Sequence, residues 1–187
     1  MEISKILYVT KKEEWRNWLK ENYNKEKEIW LVYYKKDSKK PRISYNDAVN
    51  EALCYGWIDS TIKNIDQEKF AQRFTPRRPN SKLSEMNKER IRRLIKEKTM
   101  TSIGLKAVSH VFDKDEEKNF VIAPDILKEI KKNEQAWENF QKFSEGYKRV
   151  RIGYIESQGK HSDDAFKKSL KNFIKNTEKN KKFGQVR

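Results

Sequence analysis

Between positions 51 and 78 the chain reads EALCYGWIDSTIKNIDQEKFAQRFTPRR. Seven side chains of this stretch have types suited to chemistry: Glu51, Trp57, Asp59, Lys63, Arg73, Thr75 and Arg77. Glu51 and Asp59 are candidates for a general acid and base, provided that a shared pocket raises one pKa. Two arginines, a lysine and an indole aimed the same way suit instead a small polar or anionic ligand. The same carboxylates and guanidinium groups also make ordinary structural salt bridges, and tryptophan is equally at home in a core. At the level of sequence these readings stand side by side.

What would position six of the seven is a β-hairpin, with Glu51 reaching toward it from the end of the preceding helix. Pairing Ile65 with Ala71 leaves Gln67-Glu68-Lys69 as a short loop, a common hairpin length. Strict alternation then gathers residues 57, 59, 61 and 63 with 71, 73, 75 and 77 on one face. Lys63 falls opposite Arg73, Thr61 opposite Thr75 and Asp59 opposite Arg77. Ile58, Ile62, Phe70 and Phe74 collect on the other face. Lys63 against Arg73 is repulsive by a few tenths of a kcal/mol to about 1 kcal/mol, unless an anion such as Glu51 or a ligand sits between them. That repulsion is the internal hint of a binding face.

Other chemistries find little support. The two histidines, His110 and His161, are remote from each other, and no C-x-x-C or H-x-x-x-H spacing appears, so no metal site is expected. Six glycines include no phosphate loop or dinucleotide fingerprint, and no cofactor is expected. No G-x-S-x-G elbow is present. The lone Cys54 has no histidine close in sequence to serve as its base, and it excludes an internal disulfide.

The net charge of +15 is spread along the chain: residues 1–100 hold 24 Lys+Arg against 15 Asp+Glu, and residues 101–187 hold 19 against 13. Dispersed lysine marks a solvated surface. Nucleic acid asks for clustered arginine and stacking aromatics, and Arg73, Arg77, Arg78, Arg90, Arg92 and Arg93 come nearest to that. A nucleic-acid-binding function through a basic helix at 84–98 is therefore the alternative reading. A hydrolase or transferase using Glu51 and Asp59 is a second alternative. No apolar run approaches the roughly 18 residues needed to span a bilayer, and MEISKILYVTKKEEW lacks a signal-peptide pattern. The expected location is cytoplasmic.

The remaining pattern supplies a frame. KILYVT reads as a strand, and Thr10 with Glu13 as the cap of a helix carrying Trp15, Trp18, Leu19 and Tyr23. Residues 29–36, IWLVYYKK, read as a central strand. Ser44 caps a helix that Gly56 ends. SEMNKERIRRLIKEK is a basic helix, and a shorter helix starts at Thr101. The charged connector DKDEEKN marks a boundary. Beyond it three helical segments are expected, with Pro124 in a first turn and Ser162 capping the last, followed by a frayed end.

The strings WLVYYKK, ISYNDAVNEALCYGWIDS and QRFTPRRPNSKLSEMNKERIRRLI resemble the YdeI/OmpD-associated family, the bacteriocin-protection proteins, and the tail from about Phe140 to Ile174 resembles the family's small C-terminal domain. The resemblance implies a bacterial protein linked to stress or toxin tolerance. It supplies no catalytic residue. By motif position the family-like polar set is again Glu51, Trp57, Asp59, Lys63, Arg73, Thr75 and Arg77. The expected architecture is α+β: a small antiparallel sheet on helices in residues 1–112 and a helical C-terminal region in 113–187. The expected partner is a small polar or anionic ligand, or another protein, at the hairpin face.

Overall fold

The computed structural model describes residues 2–111 and 120–184. The chain divides into two compact units, Met1–Lys82 with Arg90–Phe112, and Leu83–Glu89 with Asp113–Arg187. The connector DKDEEKN, at 113–119, lies outside the described residues.

The first unit is α+β. Its elements are β1 (Ile6–Leu7), α1 (Lys12–Asn22), β2 (Ile29–Tyr34), α2 (Tyr45–Cys54), β3 (Trp57–Asn64), β4 (Lys69–Pro76), the Arg90–Lys96 part of α3 (Glu85–Lys96), and α4 (Ser102–Val108). The sheet order is β1-β2-β4-β3. β2 and β3 both run antiparallel to β4, while the two-residue β1 adds a parallel edge to β2. α1 turns Trp15 and Leu19 inward, both fully buried. The start of α1 differs from the expected Thr10 cap. Glu14 reaches back to accept the backbone N–H groups of Thr10 at 2.8 Å and Lys11 at 3.2 Å, so the carboxylate ties down the N-cap residue and the one before it. Ser44 does cap α2, accepting the Asp47 N–H at 3.0 Å. Gly56, at φ +71°, ends that helix in a conformation that glycine adopts without strain.

The second unit is helical: α5 (Pro124–Lys131), α6 (Glu134–Lys142), α7 (Glu145–Gly159) and α8 (Asp163–Glu178). Three segments were expected here. The first is split because Asn133 caps a new helix, accepting the Ala136 N–H at 2.9 Å. Ile126, Ile130, Phe140, Tyr147, Ile152, Ile155, Leu170 and Phe173 form its core. The chain after α8 stays docked rather than frayed as far as Phe183, whose N–H donates to Tyr147 Oη at 3.2 Å.

Candidate functional site

The hairpin forms where expected, but its register differs. Near the turn Lys63 pairs with Ala71 and Ile62 with Gln72; beyond an irregularity between Asp59 and Ile62 the pairs are Asp59–Phe74, Ile58–Thr75 and Trp57–Pro76. β3 thus spends three steps where β4 spends two. That one extra residue is a β-bulge, and it reverses which way every side chain before it points. Lys63, Arg73 and Thr75 keep a common face, as alternation predicts. Trp57 and Asp59 are carried to the other one. The single charged face is therefore replaced by two faces of different character.

On the inner face, Trp57 is core. It is 1% exposed, its Nε1–H donates to the Tyr23 carbonyl at 3.1 Å, and its ring meets Trp18 edge-on. The expected oily set is redistributed as well. Phe74 is fully buried against Trp15, whereas Ile62 is 59% exposed on the edge strand and Ile58 pairs with Thr75.

The outer face carries an internally satisfied ion pair. Arg73 donates Nε and Nη2 to Glu28 Oε2 at 2.7 and 2.5 Å. Ser4 and the Trp30 indole donate to the other oxygen of the same carboxylate. Lys63 stands over the Trp30 ring at 5.9 Å. The expected Lys63–Arg73 repulsion does not arise, because Ala71 faces Lys63 and Glu28 neutralises Arg73. Hydrogen bonds from Ser4 and then Arg73 hold the Glu28 carboxyl below its usual range. A depressed folded-state pKa stabilises the fold fully above the ordinary glutamate value near 4.3 and is lost as pH falls through the lower folded value. Thermal unfolding followed from neutral to acid pH should therefore show stability dropping below about pH 4.3, and Glu28→Gln should flatten part of that drop.

The remaining predicted residues go elsewhere. Glu51 binds Arg16 at 2.6 Å, and Arg16 also donates to the Thr99 carbonyl. Arg77 does not meet Asp59. Its Nη2 is bonded to Ser81 and the Lys82 carbonyl, and burial lowers its pKa. Among the described residues, Glu51 and Asp59 bond different partners, Arg16 for the one and Tyr45 and Gln72 for the other. Burial also pushes the Cys54 thiol up, away from a reactive thiolate. Arg73, Arg77 and Arg90 are committed to protein partners, which takes half of the nominated arginine cluster out of the nucleic-acid reading.

What the inner face does assemble is a polar cluster around Asp59. Its Oδ2 accepts the Tyr45 hydroxyl at 2.9 Å and the Gln72 amide at 2.8 Å. Arg90, 8% exposed, donates to Asn46 Oδ1 at 2.7 Å and lies with its guanidinium carbon 5.8 Å from the Tyr45 ring centroid. Burial, then the Asp59 charge, push the Tyr45 hydroxyl up to about 12. Tyr33, 2% exposed and stacked on Phe70, has a hydroxyl with no hydrogen-bond partner among the described residues. Its pKa is pushed far above the usual phenol range by burial and by the Asp59 charge. Sequence reasoning missed Tyr33, Tyr45, Gln72 and Arg90 as a group. One signal was present: Tyr45 falls on the buried stripe of its helix, and a buried phenol needs a polar partner.

These features define an α+β unit with a polar cluster in its interior and, in the same chain, an all-helical unit. The chain belongs to the family described as Domain of unknown function (DUF8412), which matches residues 7–107, more than half of its length. Residues 119–180 match the family described as Bacteriocin-protection, YdeI or OmpD-Associated. The resemblance read from the sequence is thus shown over the helical region, while the ALCYGWID and QRFTPRR strings fall within the first match. Neither the curated proteins nor the solved structures returned a match. Among the described residues, no helix is long and apolar enough to cross a membrane.

Proposed function

We propose that this chain is a ligand-binding protein of a stress- or toxin-protection system, taking a small polar molecule at the Asp59 cluster. In this reading the hairpin binds through its inner face rather than the outer face expected from alternation. The observation that carries this reading is the Tyr33 hydroxyl. A buried phenol without a protein partner costs about 1–3 kcal/mol, and buried polar groups of native folds nearly all find a partner, be it protein, water or ligand. Here the unpaired hydroxyl shares its sheet face with Asp59 and Gln72 and lies within electrostatic reach of Asp59 and Tyr45. Donors and acceptors of both kinds therefore stand on one sheet face, the mix that orients a small polar ligand. The half-buried Tyr45, Asn46 and Asp59 are the approachable members. The match of residues 119–180 to the bacteriocin-protection family supports the protective role.

The test is a thermal-shift and calorimetric screen of the full chain against uncharged and zwitterionic probes, namely amino acids, nucleosides and hexoses. At least one class should raise the melting temperature of the natural chain, and Asp59→Asn or Tyr33→Phe should abolish the shift. Without ligand, Tyr33→Phe should be the more stable protein by about 1 kcal/mol, since it removes an unsatisfied buried hydroxyl. That gain corresponds to roughly 2–4 °C for a chain of this length. A destabilised Tyr33→Phe together with a silent screen would refute the assignment.

A further inference from the structure

The helical unit holds a second cluster of polar groups, separate in sequence from the Asp59 cluster. Arg151, on α7, is 7% exposed, and its Nε is buried with no hydrogen-bond partner among the described residues. Among those residues no carboxylate pairs with it. Its guanidinium carbon lies 4.0 Å from the Phe183 ring centroid and 5.1 Å from that of Tyr154. A purely structural role would make Arg151 a clamp on the chain end. The magnitudes argue against that as its whole purpose. A cation–π contact contributes about 2 kcal/mol when desolvated, but it supplies no acceptor for the buried Nε–H, and a buried donor left unsatisfied costs about 1–3 kcal/mol, more on a charged group. The chain end has a second tether in the Phe183 N–H to Tyr147 bond. Stacking alone therefore leaves the buried Nε–H without an acceptor.

Arg151 lines a cleft of about 370 Å³ between α7 and α8, together with Tyr154, Gln158, Lys168, Ser169 and Asn172. Among the described residues, no acidic side chain lines it. The size falls at the lower end of the roughly 300–1,000 Å³ of small-molecule sites. An arginine fork matches two oxygens of one oxyanion. The exposed Lys168 supplies a second positive charge on the rim. Two cations suit the near-double charge of a phosphate ester better than the single charge of a carboxylate. The serine hydroxyl and the two amides are placed for an uncharged polar remainder.

We infer that the α7–α8 cleft binds a small phosphate ester of about mononucleotide size, with Arg151 gripping the phosphate and Lys168 assisting from the rim.

The experiment is calorimetric titration and thermal shift of the full chain with a nucleoside 5′-monophosphate, inorganic phosphate and citrate, each at ionic strength matched with NaCl. The monophosphate should bind and raise the melting temperature beyond the salt control. Arg151→Lys should weaken it at least tenfold, and Arg151→Met should abolish it while remaining folded without ligand. Should Arg151→Met fail to fold, the Lys168→Ala/Ser169→Ala double variant, altered only on the α8 side, should still lower the affinity. Asp59→Asn should leave the phosphate response intact, which separates this site from the Asp59 cluster. The inference is overturned by any of three results: no response beyond NaCl, an undiminished response in Arg151→Met, or binding of citrate without the monophosphate.

Discussion

Trp57→Ala should cost about 3–5 kcal/mol of folding stability, the largest effect of any single substitution considered. The indole is buried to within 1% of completely, bonded to the Tyr23 carbonyl and packed edge-on against Trp18. Truncation opens a cavity among rigid neighbours and leaves a buried carbonyl without its donor. A loss of that size approaches the whole stability of a marginal fold, about 5–15 kcal/mol. Chemical and thermal denaturation should show a melting point lower by roughly 6–20 °C. Trp57→Phe keeps most of the ring and loses the bond, so its cost should be clearly smaller. A tryptophan serving as an exposed ligand platform would behave otherwise: its removal would leave stability within about 0.5 kcal/mol and show itself only in binding.

Gly104→Ala should rank second, and here the sign is the informative part. At an ordinary helical position, alanine in place of glycine is stabilising by up to about 1 kcal/mol. Gly104 lies in α4 where that helix docks on the C-terminal end of α2. A β-carbon there would overlap the Cys54 carbonyl oxygen, sitting 2.6 Å from its carbon and 2.8 Å from the Leu53 oxygen. Those atoms are backbone and cannot swing aside as a side-chain end would. α4 would have to lift, straining the Thr101 Oγ1–H bond to the same Cys54 carbonyl. Overpacking of this kind costs about 1–3 kcal/mol, so the variant should melt below the natural chain despite its better helix propensity. A stabilised Gly104→Ala would show that α4 rides loosely on α2.

The local elements were legible because their causes are local. The strand at 29–36, the hairpin around Gln67-Glu68-Lys69 and the helix at 84–98 emerge as Ile29–Tyr34, Trp57–Asn64 with Lys69–Pro76, and Glu85–Lys96. β-branched and aromatic runs, a serine cap and a glycine stop act within a few residues of themselves. Arg73 illustrates the limit. Its partner Glu28 stands two residues before Trp30 and so shares that residue's face, but this matters only once β2 is known to lie beside β4. The cap at Asn133 was missed for a different reason: an apolar stripe that continues through a helix break looks like one helix.

By itself the amino-acid order determined the α+β class, the hairpin, the ends of α2 and the family likeness, since each follows from propensities and motifs that neighbouring residues carry. Which side of the sheet Trp57 and Asp59 occupy was decided only in three dimensions. Alternation is a rule of period two, and one inserted residue, the bulge between Asp59 and Ile62, inverts it. Nothing in DSTI announces that insertion. It is settled by the gain from burying an indole against α1, which exceeds the cost of a broken ladder, and the same rotation carries Asp59 to Tyr45 and Gln72.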